Sequence, residues 1–519
     1  MQVRNLTHLL KEMKLLSPMG AVGFASSVAK HGVNIMTLLE LAEKFHGDKI
    51  AIVDDQESIS YSQLCKQCDI LAFHLQQTYA IDKTKKVAFL CQNQSSVVKA
   101  IFSVARLGAD IYLLNTEMGS SHFDELLKHH AFDLLIYDQV VSGLVDNSVY
   151  RNPKILSFHD DLHAINHMTC SESFVASKVK RTSAGKIVLL TSGTTGKPKK
   201  VIHQPSLFNY VQPFLTMVTK LKLTERKNVM IATPVYHGYG IAILLSFLAL
   251  GKTVILSKGF SAEKVCTLIR THEIEVITVV PLMIEKLLTQ CDGGLTSLKC
   301  IASGGATLHP KLVQCIEEKL GQVLFNLYGT SESGLNCIAT PEELSISRCT
   351  IGRVIQGSRL KILDEKKKEV VVGKIGQFYV KNKWSMKNKE SRWISTGDLG
   401  YKDQHGLWYL CGRTDDMIVS AGENVYPIEL EQLIRIHPLV KDVAVIGIED
   451  DRFGQRLCAF IEPVNDELTS ESFNNWLTGR AARYQMPKKV IILSSIPYTS
   501  LGKTDKKRLR AMTTGCVSL

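Results

Sequence analysis

Long hydrophobic runs are absent from this sequence of 519 residues, although 45% of its residues are hydrophobic. No stretch approaches the roughly 18 consecutive apolar residues that a membrane-spanning helix needs. Charged side chains interrupt residues 1–11, which therefore lack the apolar core of a secretory signal peptide. We expect a large cytoplasmic protein, and its length exceeds that of one hydrophobic core, which predicts at least two domains.

Closely spaced cysteine pairs are also scarce. The thirteen cysteines are scattered along the chain, which suits a reducing compartment better than a disulfide framework. Cys65 and Cys68 form a close pair, but a second pair that would complete a zinc site is missing. We expect these two side chains to pack within a helix, with metal or redox use as the less favoured alternative.

Acidic side chains are outnumbered: 50 Asp and Glu against 62 Lys and Arg give a net charge of +12. A solvated basic surface is the simplest explanation, and attraction for phosphate-bearing ligands, an anionic membrane or nucleic acid are the alternatives. Nucleic acid is disfavoured because no zinc-finger, homeodomain or RNA-recognition signature accompanies the charge. Residues 3–16 place leucines near one helical face, which favours packing on the first domain over peripheral membrane contact.

A glycine- and hydroxyl-rich loop follows the apolar run 186–190, which reads as a buried strand. The loop is Thr191-Ser192-Gly193-Thr194-Thr195-Gly196-Lys197-Pro198-Lys199. Successive backbone N–H groups of such a loop can point at phosphate oxygens, with hydroxyls and lysines adding donors and charge. Two residues rather than four separate its glycines, so it is not the common nucleotide P-loop. Taken alone, it could equally be a polar surface loop.

Strand-like runs alternate with helical patterns between residues 87 and 280. This alternation predicts an α/β fold with parallel sheets covered by helices. From Gly352 to Tyr409 the spacing shortens into strand–turn–strand units, which predicts a small antiparallel or β-barrel-like subdomain. After Arg413 a new α/β unit begins.

Five further motifs follow the loop at 191–199. They are Ser303-Gly304-Gly305-Ala306, Asn326-Leu327-Tyr328-Gly329-Thr330-Ser331-Glu332-Ser333-Gly334, Trp393-Ile394-Ser395-Thr396-Gly397-Asp398, Gly412-Arg413-Thr414-Asp415-Asp416 and Pro497-Tyr498-Thr499-Ser500-Leu501-Gly502-Lys503. In this order the six motifs resemble the signature of the adenylate-forming (AMP-binding) enzymes, which include acyl-CoA synthetases, amino-acid adenylation domains and firefly-type luciferases. Ordered matches between about residues 186 and 510 are hard to obtain by chance. The first 180 residues carry no motif this specific.

The resemblance implies a fold of two parts. A large N-terminal domain, residues 1–412, would contain two doubly wound α/β subdomains and the β-barrel-like subdomain, together with the ATP and acid sites. A small mobile α+β domain, residues 413–519, would follow, with its hinge at Asp415. Rotation about this hinge would bring Ala421, Gly422 and Glu423 to the CoA side of the site.

The resemblance also implies ATP, Mg²⁺ and coenzyme A as cofactor and co-substrates. The residues that would contact the nucleotide are Thr191, Ser192, Gly193, Thr194, Thr195, Gly196, Lys199, Gly304, Gly305, Ala306, Asn326, Tyr328, Gly329, Thr330, Ser331, Asp398 and Arg413. Among these, Asp398 would accept the ribose hydroxyls with Arg413 in support. Glu332, with Thr191, would hold Mg²⁺, and Lys503 would meet the charge that develops at the reacting phosphorus.

His237 occupies the position where the family places an aromatic or histidine side chain beside the carboxylate of the acid, so it completes the predicted catalytic set. Gly238 and Gly240 could open room for an acyl group or permit tight helix packing. Residues 235–240 carry no acidic side chain that would hold a substrate ammonium. With the apolar run 241–250, this predicts an uncharged acid, a medium- or long-chain fatty acid.

The sequence therefore predicts an AMP-forming acyl-CoA synthetase that resembles bacterial fatty-acyl-CoA ligases. It would release pyrophosphate and AMP, act in the cytoplasm or at the inner membrane face, and be a monomer or homodimer. The alternatives are loading of an aliphatic or aryl acid onto a carrier-protein pantetheine, and a non-catalytic nucleotide sensor. Retention of both Glu332 and Lys503 argues against the sensor. One departure is that residues 380–393 form a shorter stretch than in many relatives and lack their Gly-Tyr element.

Overall fold

The computed structural model describes residues 17–169, 179–180, 182, 185–192, 198–203, 210–291, 293–386, 392–420, 423–450, 454–499 and 502–513. The chain forms two compact units. The first unit runs to Arg348 and includes residues 354–359 and 381–393, whereas the second consists of residues 349–353, 360–380 and 394–519.

The strands of the described residues are β1 (Ile50–Val53), β2 (Ser58–Ser60), β3 (Lys86–Leu90), β4 (Asp110–Leu113), β5 (Leu134–Tyr137), β6 (Lys154–Leu156), β7 (Ile187–Ser192), β8 (Pro198–His203), β9 (Asn228–Ile231), β10 (Thr253–Leu256), β11 (Val276–Val279), β12 (Cys300–Gly304), β13 (Leu324–Thr330), β14 (Gly334–Ala339), β15 (Thr350–Val354), β16 (Arg359–Leu363), β17 (Gly376–Lys381), β18 (Ile394–Lys402), β19 (Trp408–Arg413), β20 (Ile418–Ser420), β21 (Glu423–Val425), β22 (Val440–Asp450), β23 (Gly454–Pro463) and β24 (Lys489–Ile492).

The α-helices of the same residues are α1 (Pro18–His31), α2 (Ile35–His46), α3 (Tyr61–Tyr79), α4 (Ser95–Arg106), α5 (Ser120–His129), α6 (Ser142–Asp146), α7 (Ile165–Met168), α8 (Val211–Lys220), α9 (Gly238–Ala249), α10 (Ala262–Thr271), α11 (Pro281–Gln290), α12 (Pro310–Leu320), α13 (Pro341–Ile346), α14 (Pro427–Ile434), α15 (Ser470–Leu477) and α16 (Lys506–Thr513). Short 3₁₀ turns are Gln139–Val141, Leu223–Glu225 and Arg483–Gln485.

Two sheets build the first unit. The first sheet has the order β6-β5-β3-β4-β7-β8, and its strands are parallel except for the β7–β8 pair. The second sheet contains β14-β13-β12-β11-β9-β10-β1-β2, with parallel pairing from β13 through β1 and antiparallel pairs at its two ends. All four residues of β5 are buried, as are all four of β11. Such two-sided burial explains the unbroken apolar runs in the sequence, and the predicted α/β class is confirmed.

The second unit holds two smaller sheets. One has the order β16-β17-β18-β19-β15, and its β17–β18, β18–β19 and β15–β19 pairs are antiparallel. The other orders β21-β20-β23-β22, with β24 parallel to β23. These units differ from the predicted division at residue 412, because the strands between residues 360 and 409 group with the C-terminal residues. The boundary at 412 and the hinge remain predictions.

The cysteines follow the expected pattern in part. Cys65 and Cys68 are both buried in α3, as helix packing requires, and burial raises the pKa of each thiol. In contrast to the expectation of unpaired thiols, Cys266 and Cys291 form a disulfide. Cys266 lies in α10 and Cys291 caps the end of α11, and the packing of these two helices is not visible in the spacing of the cysteines.

No described helix has the length and apolar character needed to cross a bilayer. The amphipathic segment 3–16 lies outside the described residues, so its predicted packing or membrane contact stays a prediction.

Candidate active site

The glycine-rich loop joins two paired strands. β7 confirms the strand predicted at 186–190, and β8 returns antiparallel to it with Thr191 opposite Lys199 and Ser192 opposite Pro198. β7 lies beside β4 in the first sheet. Residues 193–197, which include Gly193, Thr194, Thr195 and Gly196, and the side chains of Thr191, Ser192 and Lys199 lie outside the described part of the chain.

Two other predicted nucleotide segments lie side by side at one edge of the second sheet. β12 and β13 are parallel neighbours in which Ser303 pairs with Asn326 and Gly304 with Leu327. Gly305 and Ala306 directly follow β12, and the φ of Gly305 is +82°, a backbone conformation that favours glycine. The carboxyl ends of parallel strands form a common ligand-binding edge in α/β sheets. The structure therefore brings these two motifs together, and their contact with a nucleotide stays a prediction.

Tyr239, on the first turn of α9, reaches the same edge. Its hydroxyl donates to the carbonyl of Ala302 over 2.8 Å, and its ring lies 3.5 Å from the position that a Cβ on Gly304 would occupy. Burial raises the pKa of this phenol. Sequence reasoning noted the segment around Tyr239 but did not anticipate this contact.

Glu332 lies in the turn between β13 and β14, after Tyr328, Gly329, Thr330 and Ser331. Its carbonyl accepts a hydrogen bond from the Met386 amide over 2.8 Å. The turn is tightened by a 2.8 Å hydrogen bond between the Thr330 and Ser333 hydroxyls. A Cβ on Gly329 would lie 2.5 Å from the Gly334 carbonyl oxygen, so the close approach of the two strands requires glycine.

Three side chains that the motifs did not reveal brace this turn. Asn336 donates to the Ser333 hydroxyl over 2.7 Å, and Asn382 donates to the Ser333 carbonyl over 2.9 Å. Trp384 donates to the Leu335 carbonyl over 3.2 Å. Asn382 and Trp384 belong to the stretch 380–393 that departs from the family pattern. The signal for their role that the sequence offered was a tryptophan, a rare residue, in a short stretch that also contains two asparagines.

Glu332 is compatible with Mg²⁺. Among the residues that the structure describes, no three His, Cys, Asp or Glu side chains are grouped so that they could hold a metal ion. This part of the chain therefore contains no metal site built from protein side chains alone. Mg²⁺ usually binds through one or two carboxylates together with phosphates and water. A single half-buried carboxylate in a braced turn fits that preference. The participation of Thr191 stays a prediction.

His237 occupies the N-cap position of α9, where its carbonyl accepts from the Ile241 amide over 3.0 Å. Its ring centroid lies 4.5 Å from that of Tyr236. A Cβ on Gly238 would lie 2.9 Å from Leu189 Cδ1, and one on Gly240 would lie 2.2 Å from the Pro234 carbonyl oxygen. Of the two explanations for these glycines, close packing is therefore confirmed, and room for an acyl group is not supported.

The apolar run 241–250 also belongs to the core. The buried members of this run in α9 are Ile241, Ile243, Leu244, Phe247 and Leu248. They pack in the main hydrophobic cluster of the first unit. The argument that this run bounds a long acyl pocket thus loses its basis.

Asp398 and Arg413 belong to the second unit. They stand opposite each other in the β18–β19 register, and Arg413 Nη1 donates to Asp398 Oδ1 over 3.0 Å. Arg413 Nη2 also donates to the exposed Asp415 over 3.3 Å. Burial alone would lower the pKa of Arg413, but Asp398 and Asp415 outweigh it and raise that pKa. The predicted ribose pair and the predicted hinge are thus linked by one guanidinium.

Lys503 projects from a tight turn of the second unit. The Thr499 amide donates to the Lys503 carbonyl over 2.8 Å, and Tyr498 pairs with Thr504 in an isolated bridge. The Tyr498 hydroxyl donates to Asp442, which also forms an ion pair with Arg435 at 2.6 Å. The Lys503 side chain is exposed.

The predicted CoA side is described only in part. Ala421 and Gly422 lie outside the described residues, whereas the backbone of Glu423 opens β21 and pairs with Ser420 of β20. The roles of these residues and of Asp415 stay predictions.

Comparison with known proteins identifies the family of this site. The model of the AMP-binding enzyme family matches residues 39–388, and that of the AMP-binding enzyme C-terminal domain matches residues 429–503. A similar curated protein is the 2-succinylbenzoate–CoA ligase of Bacillus subtilis (strain 168), which is 27% identical over 485 residues, covering 89% of this chain and 95% of the relative.

Comparison with solved structures also finds proteins with the same fold. The o-succinylbenzoate CoA synthetase from Bacillus subtilis, in complex with its acyl-adenylate intermediate, superposes with a TM-score of 0.79 at 26% identity, covering 91% of this chain and 97% of that one. The amide bond synthetase McbA from Marinactinospora thermotolerans has a TM-score of 0.81 at 22% identity, covering 92% and 99%. The second likeness concerns the fold alone.

Proposed function

Since the chain belongs to the AMP-binding enzyme family, we propose that it is an ATP-dependent acid–thiol ligase that makes an acyl adenylate and then an acyl-CoA. The observation that carries the proposal is the edge at which β12 and β13 bring Gly304 beside Leu327, with Tyr239 bonded to Ala302. A nucleotide base fits such an edge of glycine backbone and aromatic ring.

The chemistry proceeds in two displacements. A carboxylate oxygen attacks the α-phosphorus of ATP, and the bond from that phosphorus to pyrophosphate breaks. The thiol of CoA then loses its proton to solvent and its sulfur attacks the acyl carbon, so the bond to AMP breaks and a thioester forms. Adenylation comes first because AMP is a far better leaving group than the oxygen of a carboxylate.

Each predicted residue has a part in this scheme. Residues 191–199 hold the β- and γ-phosphates, Asp398 accepts from the ribose hydroxyls while Arg413 orients it, and His237 lies beside the carboxylate of the acid. Lys503 supplies positive charge at the α-phosphoryl oxygens, where a preorganised charge lowers the barrier most. Glu332 would hold Mg²⁺, which would supply positive charge beside the phosphates.

For the acid, we propose a compact aromatic carboxylic acid as the first candidate. Support comes from the rings of Tyr236, His237 and Tyr239 at the start of α9 and from the 2-succinylbenzoate specificity that the name of the Bacillus subtilis relative states. The medium- or long-chain fatty acid predicted from the sequence is the second candidate. Its support is the absence of an acidic side chain in residues 235–240.

The test is a pyrophosphate-release screen over aromatic acids and aliphatic acids of graded length, with CoA, with a phosphopantetheinylated carrier protein, and with neither. We expect acid-dependent release in every arm and a thioester in the CoA arm. Thioester on the carrier alone would favour the carrier-loading alternative. Nucleotide binding with no release for any acid would refute the ligase and leave a nucleotide sensor.

Location and assembly complete the proposal. We propose that the enzyme is cytoplasmic and acts as a monomer or homodimer without nucleic acid, with residues 3–16 packed on the first domain and peripheral contact of this segment with the inner membrane face as the alternative. Cell fractionation of the full chain and of a chain lacking residues 3–16 tests the membrane contact, and sedimentation tests the assembly.

A further inference from the structure

We propose that Asn93 is a positioning residue that sets the turn carrying His237 and thereby the place of the acid's carboxylate. The proposal rests on the ligase function above. Asn93 follows β3 of the first sheet, whereas His237 starts α9 after β9 of the second sheet. Asn93 belongs to no motif that points to the nucleotide or the acid.

The amide of Asn93 holds three backbone groups of this turn. Its Nδ2 donates to the carbonyls of Ile231 and Thr233 over 3.2 and 2.9 Å, and its Oδ1 accepts from the amide of Val235 over 2.8 Å. Only 4% of Asn93 is exposed. Both donors and the acceptor of one side chain are therefore used on a stretch of five residues.

The turn needs such a partner because its backbone leaves the sheet while it is still buried. Thr233 and Val235 are 2% and 1% exposed, and Pro234 has no N–H to donate. A buried backbone group without a hydrogen-bond partner destabilises the fold. Asn93, which follows β3 of the first sheet, supplies hydrogen-bond partners to these buried backbone groups. It therefore also fixes the position of the turn between the two sheets.

The residues that follow the turn are held by close contacts, so they cannot readily move to absorb a displacement of the turn. Tyr239 is anchored to Ala302, Gly238 abuts Leu189 of β7, and Gly240 abuts the Pro234 carbonyl. His237 lies between these contacts and the Val235 amide, two residues away from the bond to Asn93. A displacement of Val235 is thus transmitted to His237, and a misplacement of about 1 Å near a reacting group can cost about a hundredfold in rate.

Asn93→Asp is the sharpest variant, since it keeps the acceptor for Val235 but replaces both donated bonds with a carboxylate oxygen facing two carbonyls. With the best acid of the screen, we expect the KM for the acid to rise about tenfold or more, while the KM for ATP stays unchanged. In the His237→Ala background the same change should add little, because the misplaced group is already gone. Hydrogen exchange of the Val235 amide should become faster, because repulsion between the new carboxylate and the Ile231 and Thr233 carbonyls displaces the turn and weakens the remaining bond.

Asn34→Asp is the matched control. Asn34 is likewise a buried asparagine, donating to the His31 carbonyl over 2.8 Å and accepting from the Met36 amide over 2.7 Å, but it caps α2. It should lower the melting temperature without changing the KM for the acid. If Asn93→Asp does not fold, Asn93→Ser, which keeps one donor, should give a smaller rise of the same KM.

The outcomes separate the two proposals. An active wild-type enzyme whose acid KM is the same in Asn93→Asp and Asn34→Asp would overturn the role of Asn93. Full additivity with His237→Ala would overturn it as well, because the two residues would then act independently. A wild-type protein that releases no pyrophosphate with any acid would instead refute the ligase function, and exchange at Val235 would still report whether Asn93 holds the turn.

Discussion

Asp398 and Arg413 face each other across β18 and β19, joined by a 3.0 Å hydrogen bond between Nη1 and Oδ1. Gly397 precedes the aspartate with a φ of +77°, and a Cβ there would lie 2.9 Å from Arg413 Nη2. The guanidinium therefore lies against bare backbone on one side and the carboxylate on the other. Arg413 thereby fixes the orientation of the Asp398 carboxylate.

We predict that Asp398→Asn will weaken ATP binding, because a neutral amide accepts less strongly from hydroxyls and loses the charge of its bond to Arg413. A hydrogen bond to a charged group contributes about 1.5–3 kcal/mol, or about ten- to a hundredfold in affinity. The measurement is the Kd for ATP by calorimetry. Asp403→Asn is the control, since Asp403 accepts from Leu407 and Tyr409 in the turn of the same hairpin; an equal loss of affinity there would contradict the ribose role of Asp398.

For Lys503 we predict that Lys503→Ala will reduce adenylation by about a hundredfold or more, the usual effect of one positioned electrostatic group. Thioester formation from supplied acyl adenylate should be largely spared, because that step has no pentacovalent phosphorus to stabilise. Both half-reactions are measured separately. Lys507→Ala removes a neighbouring exposed lysine on α16 and should change neither, and an equal loss in both half-reactions of Lys503→Ala would contradict the assignment.

How far the sequence predicts the site depends on how local each feature is. The strand before the phosphate loop follows from a short apolar run, and β7 confirms it. The structure adds that β12 and β13 are neighbours, which places Ser303–Ala306 beside residues 326–334. Contacts between distant segments leave no such pattern. The hydrogen bonds from Asn93 to Thr233 and Val235 join residues about 140 positions apart. Neither segment carries a sequence pattern that predicts contact with the other.

Gly240 shows that the sequence can also suggest a feature that the packing of distant residues rules out. A glycine in an apolar stretch suggests space for a ligand, but the Pro234 carbonyl occupies that space. Likewise, an apolar run without charges is compatible with an acyl pocket and with a core, and only the packing of α9 decides for the core. Periodicity tells which residues avoid water, whereas it does not tell what covers them.

We predict that Gly240→Ala will destabilise the first unit by about 1–3 kcal/mol, the usual range for overpacking. The added Cβ would lie 2.2 Å from the Pro234 carbonyl oxygen, so the backbone must shift. Gly143→Ala in α6 is the control, because its Cβ would meet no atom within 4 Å and alanine favours a helix. Thermal melts of both variants test this. A stable Gly240→Ala enzyme that merely prefers shorter acids would restore the acyl-pocket explanation.

The last prediction concerns Glu40 of α2, a largely buried carboxylate that pairs with His31 and, at 3.0 Å, with Lys30. Burial alone would raise its pKa, but His31 and Lys30 lower it from 4.5 to about 2. A carboxyl whose pKa is depressed by folding stabilises the native state fully above its unfolded pKa, and this contribution is lost as the pH falls from about 4.5 toward 2.

Glu40→Gln should therefore be less stable than the wild type at pH 6, by about 2 kcal/mol for hydrogen bonds to a charged group. The difference should shrink as the pH falls below 4.5, because the carboxyl of the unfolded wild type is protonated there, which stabilises the unfolded state, while the folded carboxyl with its pKa of about 2 is still ionised. Denaturant melts of both proteins between pH 6 and pH 3 measure it. Glu318→Gln, at an exposed position of α12, is the control and should stay close to the wild type, since surface substitutions usually change stability by less than about 0.5 kcal/mol. A gap between Glu40→Gln and wild type that stays constant with pH would mean that Glu40 contributes shape and not charge to the packing of α1 on α2.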